Sequence, residues 1–166
     1  MEADGRHVSS AHVITVSDGV THGEREDKSG PALVGILYAN RYDVTGPQIV
    51  PDEREQIAAA ITKAVDAGSN LVITTGGTGL GPRDVTPQAT ASIIDYDVPG
   101  LTELMRRAGF ESTPMAALTR GVAGVRGHTL ILNVPGSPKG AVESLEAVMP
   151  VLEHALALLR GETKHA

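Results

Sequence analysis

The chain has no cysteine, which excludes a disulfide and a thiolate metal site and leaves the redox compartment unread. It has no tryptophan and a single phenylalanine, Phe110, and aromatic residues make up only 2% of its 166 positions. The core must therefore be packed by Val, Ile, Leu, Ala and Met. A flat heterocyclic ligand would find few rings to stack on, so its recognition falls to backbone hydrogen bonds and aliphatic walls. No apolar run is long enough to span a bilayer, and the start MEADGRHVSS lacks a charged-then-apolar signal pattern; the expectation is a cytoplasmic protein without membrane contact. Basic runs are missing too. The net charge is -6, Arg106-Arg107 is the only adjacent basic pair, and a general nucleic-acid surface is disfavoured. The six histidines are scattered, with no His-x-x-x-His or HExxH spacing, which argues against a histidine-bound zinc.

What is present is a glycine-rich segment, Thr74-Thr75-Gly76-Gly77-Thr78-Gly79-Leu80-Gly81-Pro82-Arg83-Asp84-Val85-Thr86-Pro87. It joins a predicted buried strand, a turn, a cation, a carboxylate and a helix start. Glycines let the backbone bring N–H groups close to an anion, and a helix beginning near Pro87 points its positive end back at the loop. Thr75, Gly76, Gly77, Thr78, Gly79, Arg83 and Thr86 are accordingly the candidate phosphate and nucleotide ligands. The loop is not a Walker A motif, because Leu80-Gly81-Pro82-Arg83 follows Gly79 where Gly-Lys-Ser/Thr is required. Nor is it a dinucleotide fingerprint, because position 82 is proline where the third glycine should fall.

With 41% hydrophobic residues, the length suits one domain over residues 11–160. Frayed ends are expected at 1–10 and 161–166, and a stand-alone protein is expected. Apolar runs at 12–17, 42–50, 71–74 and 129–133 read as strands, and helical spacing appears at 31–39, 52–67, 87–95, 99–108 and 139–159. A further segment is expected from Pro114 to about Leu118, and Pro150 predicts a kink or a fresh start in the last helix. The alternation implies a three-layer α/β/α fold: a mostly parallel open sheet with helices on both faces. In such sheets ligands bind beyond the carboxyl ends of the strands. That edge collects Ser17-Asp18, Val50-Pro51-Asp52-Glu53, the glycine loop and Asn133 to Lys139.

Two carboxylates on that edge each admit two readings. Asp52 stands between a strand and a helix, where it can cap the helix in a box with Glu55 or serve as a Mg²⁺ ligand or proton acceptor. Asp84 can form an Asx-turn leading to a Thr86 cap, or hold metal beside Arg83 in a triphosphate site.

The segment TTGGTGLGPRDVTPQAT resembles the signature of the MogA/MoaB family of molybdenum cofactor biosynthesis, to which the G domain of gephyrin also belongs. Further blocks match in order: Thr15-Val16-Ser17-Asp18, Asp27-Lys28-Ser29-Gly30-Pro31, Val50-Pro51-Asp52-Glu53, Val98-Pro99-Gly100, Leu118 to Gly124, and Asn133 to Lys139. The resemblance implies a MogA-like fold and molybdopterin adenylyltransferase activity, in which AMP passes from Mg-ATP to the terminal phosphate of molybdopterin and pyrophosphate leaves. It carries the essential aspartates onto Asp52 and Asp84, both as catalytic residues and as metal ligands. The pterin side is expected at Ser17, Asp18, Ser29, Pro135, Gly136, Ser137 and Lys139, with Lys139 equally readable as a solvated first-turn residue. A homotrimer and a downstream molybdate-inserting, MoeA-like partner are implied as well. The alternative from another class is a non-catalytic MoaB-like molybdopterin-binding or carrier protein.

Overall fold

The computed structural model describes residues 7–162; of the ends expected to fray, 1–10 and 161–166, residues 1–6 and 163–166 lie outside that range, whereas Ser10 already opens β1 and pairs with Asp43. The elements run β1 (Ser10–Val16), α1 (Asp18–Thr21), α2 (Ser29–Ala39), β2 (Asp43–Val50), α3 (Arg54–Asp66), β3 (Leu71–Thr75), α4 (Thr86–Ala91), β4 (Tyr96–Asp97), α5 (Pro99–Ser112), a 3₁₀ turn (Pro114–Leu118), β5 (Ala123–Arg126), β6 (Thr129–Val134) and α6 (Pro138–Leu159). They form one six-stranded sheet in the order β2-β1-β3-β6-β5-β4. β2, β1, β3 and β6 are mutually parallel, whereas β5 runs antiparallel to β6 and to β4. The sheet is thus mostly parallel, as the alternation of strands and helices predicted.

Period-two alternation sorts the strand side chains onto the two faces. Leu71 and Ile73 of β3, with Leu130, Leu132 and Val134 of β6, pack with Leu33 and Leu37 of α2, Leu101 and Met105 of α5, and Leu145, Val148 and Leu152 of α6. Val72 and Ile131 point the other way, to Ile57, Ala60, Ile61 and Ala64 of α3 and Ala89 of α4. Both faces are therefore covered, and β3 is buried at every position. Only strands closed in from both sides read as unbroken apolar runs.

Several local expectations change. α6 continues without a break through Pro150, because Pro150 faces solvent while Val148 and Leu152 on either side are fully buried in one core. Packing outweighs the single lost backbone bond. Asp18-Gly19 opens the four-residue helix α1, which the sequence did not signal. The helix expected over 87–95 is only Thr86–Ala91, and β4 and β5 carried no strand signal. Asp52 does not cap α3: the N-cap is Glu53, which makes no side-chain cap bond. Nor is Thr86 a cap, since it is the first residue of α4, whose N-cap is Val85. Among the described residues no helix is long and apolar enough to cross a membrane.

The register sets the site. Val16 pairs with Val50, Thr15 with Thr75, and Thr75 with Val134, so the carboxyl ends of the four parallel strands are flush. The chain leaves them at Ser17, Pro51, Gly76 and Pro135, which brings stretches distant in sequence to one edge.

Candidate active site

Beyond that edge lies a cleft of about 620 Å³. Of the predicted residues, Ser17, Ser29, Asp52, Thr75, Gly76, Gly77, Asp84, Gly136 and Ser137 line it. The phosphate-side and pterin-side predictions therefore share one cavity.

The floor is the Gly76-Gly77 turn. Both residues have positive φ, 103° and 68°, and a Cβ on Gly76 would run into the Val16 carbonyl oxygen. Only glycine lets β3 turn this close to the end of β1. The Gly76 amide donates to Val134 O at 3.2 Å, whereas the hydrogen bonds among the described residues use none of the Gly77, Thr78 and Gly79 amides. Thr75 lines the cleft and donates its hydroxyl to Pro135 O at 2.8 Å.

Thr78, Gly79 and Thr86 stand behind the floor. Thr86 is fully buried and its hydroxyl donates to Gly76 O at 2.9 Å, while Thr78 O and Gly79 O accept bonds from Arg120. These residues shape the loop and do not face the cavity.

The acidic wall is built from two strand ends. The Asp18 amide donates to Asp52 Oδ2 at 2.8 Å, and the Asp52 amide donates to Asp18 Oδ1 at 3.0 Å. Asp52 Oδ1 remains beside Gly77, whose added Cβ would lie 3.1 Å from it. Burial pushes the Asp52 carboxyl above the usual carboxylate value, and the nearby Asp18 and Asp84 charges push it further, against the lowering effect of the Asp18 amide. Asp84 closes its own turn: its Oδ2 accepts from the Gly81 amide at 2.9 Å while its amide donates to Gly81 O at 3.0 Å. That bond runs backward to Gly81, so the forward Asx-turn expected from the sequence does not form.

Arg83, expected to face phosphate, instead grips acids. Its Nε and Nη2 donate to Asp18 at 3.0 and 3.2 Å, and Nη2 also donates to Glu53 at 2.7 Å. The guanidinium holds the Asp18 carboxyl below its usual value. Asp18 is thereby placed against Asp52 and not among the cleft-lining residues.

Ser17 caps α1 by accepting from the Val20 amide at 3.1 Å, and Ser137 caps α6 by accepting from the Gly140 amide at 3.2 Å. A capping hydroxyl still has its proton to donate, so both can bind an acceptor in the cleft. Pro135 is not among the lining residues of this cleft, and Lys139 is exposed, 3.9 Å from Glu143. Lys139 thus takes the solvated first-turn role.

The sequence reading assigned no role to Arg25, Glu26, Asp27 and Lys28, on the loop before α2, all of which line the cleft. Asp27 is anchored: it accepts from the Thr15 hydroxyl at 2.8 Å and from the Gly30 amide at 3.0 Å. An aspartate three residues ahead of a helical amide was the available signal. Arg25 and Lys28 form no ion pair among the described residues and bring positive charge to the cleft that Asp52 also lines.

The described residues contain no group of three or more His, Cys, Asp or Glu side chains suited to a metal. Asp52 and Asp84, which line the same cleft closely enough for the Asp84 charge to raise the Asp52 carboxyl, nevertheless fit Mg²⁺, an ion that binds through one or two carboxylates and takes its other ligands from phosphate and water.

Comparison with known proteins bears on this cleft. Residues 12–154 match the family model described as "Probable molybdopterin binding domain". The structure of the molybdopterin biosynthesis enzyme MoaB from Thermus thermophilus is 53% identical, with a TM-score of 0.88 over 93% of this chain and 98% of that one. Molybdopterin adenylyltransferase of Helicobacter pylori strain J99 is 40% identical over 152 residues, 90% of this chain and 86% of that protein. Gephyrin of Dictyostelium discoideum is 37% identical over 92% of this chain, which spans only 23% of gephyrin's length.

Proposed function

The chain belongs to the molybdopterin-binding domain family of molybdenum cofactor biosynthesis, and from that premise we propose that it is a molybdopterin adenylyltransferase. The observation that carries the reading is the placing of Asp52 and Asp84 on one cleft with the Gly76-Gly77 turn, Asp52 lying beside Gly77. A terminal phosphate oxygen of molybdopterin attacks the α-phosphorus of ATP, the bond from that phosphorus to the bridging oxygen breaks, and pyrophosphate leaves. No proton need move and no covalent enzyme intermediate forms.

The work of the chain is placement and charge. Asp52 and Asp84 would hold Mg²⁺, which supplies charge neutralisation at the phosphate oxygens. The unused Gly77 amide donates to an α-phosphate oxygen as charge develops there. Arg25 and Lys28 attract the polyphosphate, and the Ser17, Ser29 and Ser137 hydroxyls donate to the pterin or its phosphate. Arg83 serves this reading differently from the sequence expectation, because it fixes Asp18 and, through it, Asp52.

The Helicobacter relative, of which the chain spans 86%, supports adenylyl transfer. A Synechococcus elongatus relative named as a bifunctional cofactor biosynthesis protein, of which the chain spans 47%, supports a second activity of the pathway acting beside this one; we take that partner to be a MoeA-like molybdate-inserting protein. A homotrimer working in the cytoplasm completes the reading, with exposed Phe110, Met115 and Leu118 supporting self-association. Pyrophosphate release from ATP that requires both molybdopterin and Mg²⁺ tests the activity; binding of molybdopterin without release would favour the carrier reading.

A further inference from the structure

We propose that Arg120, on the segment between the 3₁₀ turn and β5, is the positioning residue that holds Asp84 at the cleft. The inference rests on the adenylyl-transfer reading, to which it adds a residue lying outside the cavity. Its backbone amide donates to Thr78 O at 2.8 Å, Nε donates to Gly79 O at 2.8 Å, and Nη2 donates to Asp84 O at 2.8 Å. Nη1 reaches Gln88 Oε1 at 3.4 Å, in the first turn of α4.

Arg120 thus ties the glycine loop at three places: its amide and Nε hold the Thr78 and Gly79 carbonyls, Nη2 holds the Asp84 backbone carbonyl, and Nη1 reaches the helix that follows. The loop needs such a tie. Between Gly77 and Thr86 its remaining side-chain bonds to the rest of the described protein are the Thr119–Thr78 hydroxyl contact at 3.4 Å and the grip of Arg83 on Asp18 and Glu53. Gly79 and Gly81 give the backbone many alternative conformations. The Gly81–Asp84 bonds close the turn on itself without attaching it to the body. Only a planar fork with several fixed donors can satisfy carbonyls at both ends of such a loop. Arg120 is half-buried and is not among the lining residues of the cleft, so its effect on the reaction passes through Asp84.

The experiment compares wild type, Arg120→Gln, Arg120→Lys, Asp84→Asn and the Arg120→Gln/Asp84→Asn double variant by steady-state adenylyl transfer, with amide hydrogen exchange of the substrate-free proteins. Arg120→Gln should lower kcat by about 10- to 100-fold, the range for a misplaced group, and leave both KM values within about 3-fold. Arg120→Lys, which keeps the charge and part of the donor set, should recover part of the loss and covers the case in which the glutamine variant folds poorly. The double variant should be no slower than Asp84→Asn alone, because a residue acting through Asp84 has nothing left to position. Exchange of the amides from Gly79 to Val85 should quicken at least about 10-fold in Arg120→Gln while β3 and α6 keep their protection. Multiplying losses in the double variant, an unchanged kcat, or unchanged exchange would each overturn the proposal. Absence of adenylate from wild type would sink the adenylyl-transfer reading instead, and the exchange measurement would still decide whether Arg120 holds the Asp84 loop.

Discussion

Asp18 and Asp52 exchange hydrogen bonds in both directions, each amide donating to the other's carboxylate at 2.8 and 3.0 Å. The pair joins the ends of β1 and β2 and fixes which oxygen of Asp52 is left for a ligand. Arg83 completes it by gripping both Asp18 oxygens. Asp18→Ala should therefore cut adenylyl transfer by about 10-fold or more through displacement of Asp52, with the fold retained by circular dichroism. Asp18→Asn, which keeps an acceptor for the Asp52 amide, should lose less.

The same pair makes opposite predictions for stability against pH. The Asp52 carboxyl is raised above its ordinary 3.8, first by burial and then by its acidic neighbours. The folded state thus holds that proton more tightly than the unfolded chain, and the ionised carboxylate costs stability above that window. Asp52→Asn should melt at or slightly above the wild-type temperature at pH 7, with the difference closing as pH falls to 3.8 and below, and should be inactive. Asp18, lowered by the Arg83 hydrogen bonds and the Asp52 amide, contributes stability above 3.8 that is lost as pH falls through its lowered value. The Asp18→Asn deficit should be small, because Arg83 is exposed to solvent, and should vanish in acid. A large loss of melting temperature at pH 7 in Asp52→Asn would contradict the account.

Glycine substitutions separate the floor of the cleft from ordinary helix. Gly76→Ala meets the Val16 carbonyl at φ 103° and should lose roughly 2 kcal/mol or more in urea unfolding, from combined overlap and strain. Gly35→Ala, inside α2 with nothing within 4 Å of an added Cβ, should gain about 0.5 to 1 kcal/mol by helix propensity and leave turnover unchanged.

Removing divalent metal should stop transfer and spare pterin binding. Asp52 and Asp84 are the carboxylates that fit Mg²⁺, whereas the Ser29 and Ser137 hydroxyls line the same cleft with no hydrogen bond to either among the described residues. Titration of molybdopterin into chelator-treated protein should give a dissociation constant within about 3-fold of that with Mg²⁺, while pyrophosphate release is lost until Mg²⁺ is restored.

Much of this was legible in the sequence because the central strands are closed in on both faces. Leu71–Thr75 and Thr129–Val134 are buried throughout, and such runs stand out against helical spacing like that of Ile57, Ala60, Ile61 and Ala64. The rule that ligands gather beyond the carboxyl ends of parallel strands then brought Ser17, Asp52, Gly76 and Ser137 together before any coordinates. β4 and β5 escaped because Tyr96-Asp97 is exposed at both positions and Ala123–Arg126 is too short for a period. The roles of Arg83 and Arg120 escaped for another reason. Their partners lie 30 to 65 positions away, and no local pattern reports which acid or carbonyl a long cation will reach. Asp52 was readable as a cap or as a ligand; the Asp18 amide, 34 positions distant, decided against the cap.

The most direct measurement is transfer of label from α-³²P-ATP to purified molybdopterin with Mg²⁺ under anaerobic conditions, in wild type, Asp52→Asn and Asp84→Asn. Labelled pterin from wild type at a rate far above that of either variant, with both variants folded and still binding molybdopterin, is the predicted result. Wild type that binds molybdopterin and forms no labelled pterin, or variants that transfer at the wild-type rate, would contradict the role given to the two aspartates at this cleft.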